Sequence, residues 1–415
     1  MPYLHRTRQA RRLAPTPWYL LGVALVIQLG FSSLDQGVTI LTSFVKTDLG
    51  VSTAVAGLAV SSLLFGKMLG SYLGGSVADR LGEREVLVGG GAISALVIAI
   101  GLATPSEVLF PLLALAGFAA AAATPAGGRL ILSAFPRDKR GLALGIRQTG
   151  VPIAGLIVAL LLPPIARAAG WRWALATAAL MMALSIIPLY RTSVPRTVTV
   201  YRPRFWSLAR DQRLRSLTLW GALIVSGQFA LIAYLAPDIH QTRGMSLASA
   251  GLLVAVAQVA GLAGRIGWGV LSDRSSAGRE RLLFVLTLLG WISAALLFAA
   301  PRSLPFFALV LIILLAGFAL IGFQGLWITL VAESAGPGEA GAATGFATTF
   351  SLAAVALTPP GYGLVADVFG TYRAVWGALA GVLLIAFIPA MRLRHLGSPS
   401  TLAGLALADN LSVER

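Results

Sequence analysis

Long apolar stretches recur twelve times along the 415-residue chain, and each can cross the ~30 Å hydrocarbon core of a membrane as a helix. We expect them near residues 18–44, 53–78, 86–104, 108–134, 141–165, 172–190, 216–237, 247–272, 282–300, 304–332, 340–365 and 371–391. Only 12% of the residues are charged, about half of what a water-facing surface requires. The pattern therefore predicts an all-α polytopic membrane protein and excludes an ordinary soluble one.

The basic residues indicate how the chain is oriented. The formal net charge is +16, and Lys and Arg cluster in short segments on the side of the predicted spans that holds both termini. Loops with excess Lys and Arg stay in the cytoplasm, so we expect both termini there. Basic clusters placed this way face anionic lipid, and no nucleic-acid partner is expected. The first apolar run has span length and lacks a small-residue cleavage site, which predicts a retained helix.

The richest basic segment divides the spans into two groups of six. It carries seven arginines between residues 191 and 215. The predicted organisation is a cytoplasmic segment at 1–17, a six-helix bundle at 18–190, a basic linker at 191–215, a second six-helix bundle at 216–391 and a cytoplasmic tail at 392–415.

An internal repeat relates the two groups of spans. The matching pairs are Gly57 with Gly251 and Asp79 with Asp273 at an offset of 194, and Gly141 with Gly341 and Gly145 with Gly345 at an offset of 200. Two halves of the same topology form a parallel repeat, whose bundles can rock about a site at their interface.

The loop between spans 2 and 3 carries a recognisable motif. Its sequence, Gly75-Ser-Val-Ala-Asp79-Arg80-Leu-Gly82-Glu-Arg84, with a degenerate copy around Asp273-Arg274, resembles that of the major facilitator superfamily of secondary transporters. The resemblance covers about residues 18–391 and implies two pseudo-symmetric six-helix bundles. Glu83 stands where the family usually has a basic residue.

A carboxylate at the end of a helix can pair with arginines and with the positive amino end of a neighbouring helix. The motif therefore suggests a latch that closes the cytoplasmic gate. Its candidate residues are Gly75, Asp79, Arg80, Gly82, Arg84, Asp273 and Arg274. The alternative for them is turn chemistry alone.

Five ionisable side chains fall inside the predicted spans, namely Asp35, Lys67, Arg129, Arg147 and Arg265. Each costs at least ~2.5–3.5 kcal/mol at a helix centre unless it lines a cavity or finds a partner. Because four of them are positive and one is negative, the sequence predicts an anionic substrate. The planar guanidinium suits a carboxylate, which offers two oxygens at once.

Arg265 is the main candidate for the substrate contact, since glycines at 264, 267 and 269 leave space around it. It resembles the span-8 arginine that monocarboxylate and oxalate/formate-type transporters place against the substrate. Arg147 belongs to one half only, because its repeat counterpart is Ala347. Lys67 either contacts substrate or pairs with Asp35. Arg129 reaches either the cavity or Asp79.

Asp35 is the one acid expected near mid-membrane. Desolvation favours its neutral form and a nearby cation favours its charged form, so its protonation can change with conformation and couple transport to protons. A permanent ion pair with Lys67 is the alternative. Further candidates for substrate contact are Gln28, Gln148, Gln228, Tyr234, Gln324 and Trp327, for which helix packing is the alternative.

Enzyme chemistry finds no support in the sequence. There is no cysteine, the three histidines lie at or beyond span ends, and the common hydrolase and phosphate-loop motifs do not occur. We expect no metal and no cofactor. The predicted function is transport of a small organic anion, a mono- or dicarboxylate, across a bacterial inner membrane by proton symport or anion exchange, by a functional monomer. A proton-coupled exporter of drugs or amphiphiles and a non-transporting sensor are the alternatives.

Overall fold

The computed structural model describes residues 16–190, 192, 205–275, 278–335 and 338–396. Within these ranges, twelve helices are long and apolar enough to cross a membrane, which confirms the predicted all-α architecture. Spans 1 to 12 are Pro17–Leu49, Val55–Leu81, Glu83–Leu102, Val108–Ala134, Arg137–Ala169, Trp171–Tyr190, Gln212–Thr242, Leu247–Arg274, Glu280–Ala299, Phe306–Ser334, Ala340–Phe369 and Arg373–Arg394. The linker residues Arg191, Arg196, Arg202 and Arg204 and most of segments 1–17 and 392–415 lie outside the described residues.

The ends of the spans follow ordinary capping rules, and the caps obey the internal repeat. Ser52 accepts a hydrogen bond from the Val55 amide at 3.3 Å at the start of span 2, and Ser246 accepts one from the Ser249 amide at 3.1 Å at the start of span 8. Such caps satisfy amides that a helix start leaves without partners. Gly82 ends span 2 with a φ of 100°, a conformation that favours glycine.

Three spans are interrupted near their middle. Span 4 consists of Ser106–Ala120 and Ala123–Ala134, span 5 contains Arg140–Gln148 and Gly150–Ala169, and span 10 consists of Phe306–Ala316, a π-turn at Gly317–Ile321 and Gln324–Ser334. The breaks in spans 4 and 10 occupy equivalent repeat positions. In a membrane, interrupted backbone is tolerated where it is buried in protein or lines a cavity, so we expect these three breaks to face away from lipid.

Two hydrophobic clusters organise the packing. One is built by spans 1–6 alone, whereas the other is centred on spans 7–12 and includes residues of the first half. These first-half residues are Leu20, Leu21, Ala24, Leu130, Ile131, Phe135, Ala143 and Leu144. They come from the beginning of span 1, the end of span 4 and the beginning of span 5. The two halves therefore pack together at the face where span 1 begins and span 12 ends, here called the terminal face.

At the opposite face, each half has the same two kinds of side-chain hydrogen bond between its spans, here called ties. Trp171 donates to Asp48 at 2.8 Å and Trp376 donates to Asp238 at 3.0 Å, which joins span 6 to span 1 and span 12 to span 7. Arg172 donates to carbonyls at the end of span 3, and Arg373 does the same at the end of span 9. These ties hold each half together as a unit.

An apolar groove of about 800 Å³ lies between spans 2 and 11, with the beginning of span 4 in its lining, on the half of the molecule away from the terminal face. Its lining includes Phe65, Phe110 and Pro360. The two halves thus meet at the terminal face and leave space between these two spans toward the opposite face.

Candidate substrate path and gate

Asp79, at the end of span 2, is completely buried against the beginning of span 11. Its Oδ1 accepts a hydrogen bond from the Gly341 amide at 3.1 Å, and its Oδ2 accepts one from the Ala342 amide at 2.8 Å. Gly75 approaches so closely that an added Cβ would collide with the Gly341 carbonyl. The carboxylate therefore binds the amino end of a helix from the other half, where the helix dipole favours negative charge.

Arg129 and Glu83 complete this contact. Arg129 Nη1 lies 2.5 Å from Asp79 Oδ1, and Arg129 Nε lies 2.8 Å from Glu83 Oε1. All three side chains are buried. In this conformation Arg129 is therefore held by two carboxylates at the terminal face, which favours the latch alternative. Its contact with substrate stays a prediction. Glu83, the departure from the family pattern, supplies the second carboxylate.

Asp273 makes the equivalent contact between spans 8 and 5. Its Oδ1 accepts from the Gly141 amide at 2.9 Å, and its Oδ2 accepts from the Leu142 amide at 2.8 Å. Asp273 corresponds to Asp79 and Gly141 corresponds to Gly341, so one geometry closes both seams between the halves. We call the contacts of the two aspartates with these helix starts the two latches.

Three further charged residues surround the second latch. Arg279 Nη2 lies 3.0 Å from Asp273 Oδ1, and its Nη1 lies 2.5 Å from Glu333 Oε2. From the first half, Arg140 Nη1 lies 3.4 Å from Glu333 Oε1. Sequence reasoning did not assign Arg140, Arg279 or Glu333 to the gate. The signal that would have indicated them is their position beside the repeated Asp and Gly residues.

Three arginines of the motif stand apart from the latches. Arg80 and Arg274 are exposed and make no ion pair or hydrogen bond within the described ranges. Arg84 donates to the Tyr190 carbonyl at 3.3 Å and lies over the Tyr190 ring, so it joins spans 3 and 6 of one half. We correct the expectation that these three arginines close the gate: their side chains do not cross between the halves. Gly82 serves the turn after span 2.

Arg147 and Arg265 are buried, with 0% and 1% of their surface exposed. Arg147 Nη2 donates to the Ala123 carbonyl of span 4 at 2.8 Å. Arg265 Nη1 donates across the seam to the Gln148 carbonyl of span 5. Among the residues that the structure describes, no carboxylate lies within ion-pair distance of either guanidinium. Arg147 Nε and Nη1 and Arg265 Nε have no hydrogen-bond partner within the described part of the chain.

Glycines make room for these two arginines. Gly127 of span 4 faces the Arg147 guanidinium so closely that an added Cβ would collide with it. Gly145 of span 5 lies against the Arg265 carbonyl in the same way. Gly127 therefore leaves space for the Arg147 guanidinium, whereas Gly145 lets span 5 approach the backbone of span 8 at Arg265.

Four glutamines add polar atoms on spans 1, 5, 7 and 10. Gln28 donates to Ser32 at 3.0 Å, and Gln324 donates to Gln228 at 3.3 Å. The Oε1 atoms of Gln28, Gln148 and Gln324 are buried and have no hydrogen-bond partner in the structure. Gln28 also packs on Gly150 beside the break in span 5. These amides stay candidates for contact with a polar solute.

Lys67 Nζ and Asp35 Oδ2 form an ion pair of 2.6 Å between spans 2 and 1. The side chains are 15% and 27% exposed, so the pair is not sealed from solvent. In this conformation the Lys67 charge is balanced by Asp35, and its contact with substrate stays a prediction. The coupling role of Asp35 stays a prediction.

Two aromatic candidates have packing roles. Trp327 is buried, donates to the Leu217 carbonyl at 2.8 Å and fills the space left by Gly221. Tyr234 donates to the Pro359 carbonyl and thereby joins spans 7 and 11. Both side chains use their polar atom on backbone within the second half, and their contact with substrate stays a prediction.

Comparison with known proteins decides the family. A model of the Major Facilitator Superfamily matches residues 20–359 and, in a second match, residues 218–405. The chain belongs to this superfamily. The solved structure of the superfamily transporter FucP in its outward conformation has the same fold, with a TM-score of 0.73, 16% sequence identity and coverage of 90% of this chain and 98% of that one.

Three relatives illustrate the range of proteins that are similar in sequence. An uncharacterised superfamily transporter of Mycobacterium tuberculosis is 29% identical, and the alignment covers 91% of this chain and 85% of the relative. A chloramphenicol resistance protein of Streptomyces lividans is 30% identical over 70% of this chain and 75% of the relative. Monocarboxylate transporter 13 of the rat is 28% identical over 77% of this chain and 75% of the relative. The protein is therefore a secondary transporter of the superfamily, and its relatives differ in substrate.

Proposed function

We propose that this superfamily member carries a small organic anion, a mono- or dicarboxylate, and does so as a monomer. The observation that supports the proposal is the pair Arg147 and Arg265. One guanidinium comes from each half, both are buried, and within the described residues neither has a carboxylate partner.

The physical argument concerns uncompensated charge. A cation held in a low-dielectric interior without a counter-ion is unfavourable, and an anion that reaches it is bound strongly for the same reason. The backbone carbonyls that now accept from Arg147 and Arg265 are dipoles and carry no net charge. A carboxylate offers both its charge and two acceptor oxygens, which match the remaining guanidinium donors.

The transport cycle follows from the two latches. They close the terminal face, which we assign to the cytoplasm of a bacterial inner membrane because the loops on that side are rich in arginine. Breaking both latches while the halves rock about the arginine pair would expose the pair to the cytoplasm. Proton symport would use Asp35, whose carboxylate is partly exposed beside Lys67. Anion exchange would need no such group.

An exporter of apolar or amphiphilic drugs is the second candidate. The apolar groove between spans 2 and 11 and the likeness to a chloramphenicol resistance protein favour it. Such a carrier would use the groove as its binding surface, and the buried arginines would then serve only to join the helices. The two candidates therefore predict different effects of replacing Arg265.

A ligand panel and one substitution test the proposal. Purified protein is heated with mono- and dicarboxylates, and separately with cationic amphiphiles and chloramphenicol. Ligands that bind the folded state raise the melting temperature. We expect carboxylates to stabilise the native protein, and we expect Arg265→Ala to weaken their binding and uptake on the order of 100-fold, the effect of truncating a buried ionic contact.

Arg80→Ala is the matched control, because Arg80 is an exposed arginine without a bond to any described residue. It should keep uptake close to that of the native protein. Stabilisation by amphiphiles alone, or full carboxylate uptake by folded Arg265→Ala, would contradict the proposal and favour the exporter.

A further inference from the structure

Span 5 contains a backbone carbonyl that its own helix cannot satisfy. The helix Arg140–Gln148 ends at Thr149, and the next helix begins at Gly150. In a continuous helix, the amide of residue 152 would donate to the carbonyl of Gln148. Residue 152 is proline, which has no N–H, so this hydrogen bond cannot form. A buried carbonyl without a partner is unfavourable, so Gln148 needs a donor from elsewhere.

The donor is Arg265, which belongs to the other half of the molecule. Its Nη1 donates to the Gln148 carbonyl, and its side chain is almost completely buried. Gly145, one turn before Gln148, packs directly on the Arg265 backbone. The proline thus creates an acceptor at a place where span 8 closely approaches span 5, and the arginine donates to it.

The second seam provides an internal comparison. Gly345 of span 11 packs on the Ser71 carbonyl of span 2 just as Gly145 packs on the Arg265 carbonyl. Ser71 stands in the place of Arg265, however, and Leu352 stands in the place of Pro152. Span 11 accordingly runs as one helix from Ala340 to Phe369. The proline, the free carbonyl and the arginine occur together in the span 5–span 8 seam and are all replaced in the other.

We propose that Arg265 is shared between the Gln148 carbonyl and the substrate, so that substrate occupancy controls the seam between spans 5 and 8. Pro152 is the positioning residue that makes this carbonyl available. The inference rests on the proposed anion transport. Without substrate, the Arg265–Gln148 bond helps to hold the two halves closed at this level.

Competition between the two acceptors follows from their chemistry. A hydrogen bond from a guanidinium to a carboxylate is stronger than one to a neutral carbonyl, because both groups are charged. Arg265 Nε is buried and has no hydrogen-bond partner among the described residues, so this donor is left for an anion that enters the seam. When the Arg265 guanidinium binds the carboxylate, the Gln148 carbonyl loses its hydrogen-bond donor. The contact between spans 5 and 8 is then weaker. Binding of the anion is thereby linked to opening of the carrier.

Pro152→Ala tests the idea, because it restores an amide that can donate to Gln148 within span 5. The chain has no cysteine, so a spin-label pair can be placed at Arg80→Cys and Arg274→Cys, two exposed positions at the terminal face of opposite halves. We call this the terminal-face label pair. Without ligand, Pro152→Ala should shift its distance distribution toward longer values.

The same variant should bind carboxylate more tightly, by roughly ten-fold, because Arg265 no longer has a competing acceptor. A merely structural proline would not improve affinity when it is removed. Pro164→Ala is the matched control, since Pro164 lies in the same span, is exposed and is remote from Arg265. It should change neither the distance nor the affinity.

An unchanged label distance, or unchanged or weaker binding in folded Pro152→Ala, would overturn the inference. If the variant does not fold, Arg265→Leu carries the test, because it removes the donor and should lengthen the same distance. A native protein that responds to no carboxylate would instead overturn the proposed function, and substrate control of the seam with it.

Discussion

The ionisable side chains within the spans have two kinds of surroundings. Asp35 and Lys67 balance each other at 2.6 Å and stay partly exposed, and Arg129 is balanced by Asp79 and Glu83. Arg147 and Arg265 instead bond to backbone carbonyls. Because a paired charge has less to gain from a mobile ion, the first group suits coupling and gating, and the second suits substrate binding.

Asp35→Asn tests the coupling role. Asparagine cannot exchange the proton that a carboxylate carries, so we expect proton-driven accumulation of substrate to fall to the level of passive equilibration, while exchange of substrate for substrate continues. Vesicles with an imposed pH gradient measure the first activity, and preloaded vesicles without a gradient measure the second. Asp138→Asn, at an exposed acid near the terminal face, is the control. Undiminished accumulation in Asp35→Asn would assign coupling elsewhere.

At the scale of helices, both seams depend on glycine. Gly145 and Gly345 let span 5 reach span 8 and span 11 reach span 2 so closely that an added Cβ would collide with a backbone carbonyl. Backbone cannot move aside as a flexible side chain can, so these positions tolerate no larger residue in the closed state. The break in span 5 lies beside the Gly145 contact, and the Gln148 carbonyl at this break accepts from Arg265 of the other half.

Gly145→Ala should therefore disfavour the closed terminal face. Overpacking a tight contact by one methyl group costs about 1–3 kcal/mol, which corresponds to a shift in the closed population of roughly ten-fold or more. The terminal-face label pair measures this shift. Gly155→Ala in the same span is the control, because the atoms nearest to its added Cβ lie 3.7 Å away. Equal distance distributions for the two variants would mean that Gly145 does not limit closure.

At the scale of the whole molecule, two equivalent latches hold two rigid halves together at one face. The ties between tryptophan and aspartate at the opposite face keep spans 1 and 6, and spans 7 and 12, in fixed relation. The latches cross between the halves, whereas these ties stay within them. A motion that breaks only the latches can therefore open the terminal face without unfolding either half.

Asp79→Asn and Asp273→Asn should each open the terminal face in part. An amide group accepts through one oxygen only and lacks the charge that favours a helix start, so one of the two backbone amides loses its partner. We expect longer distances for the terminal-face label pair, and shorter ones for a pair at Thr47→Cys and Ala248→Cys, two exposed positions near the opposite face. Asp367→Asn, at an exposed acid, is the control. Lengthening at one face without shortening at the other would indicate local fraying in place of rocking.

The twelve spans and the superfamily could be predicted from the sequence, because a membrane requires long apolar helices and because the repeated Asp and Gly residues stand at constant offsets. The same offsets matched Asp79 with Asp273 and Gly141 with Gly341. They did not show that each aspartate binds the helix start of the other half, since a repeat relates equivalent residues and leaves their partners open.

Only the tertiary structure decided which charges are balanced. Arg129 and Arg265 are both single arginines within apolar spans, and local sequence treats them alike. Arg129 meets two carboxylates from span 2 and the start of span 3, whereas Arg265 meets a carbonyl that a proline has left free. The free energy of a buried charge depends on the groups within a few ångströms of it, and those groups come from distant parts of the chain. Chain order therefore determines where the helices are, and packing determines what each charge can do.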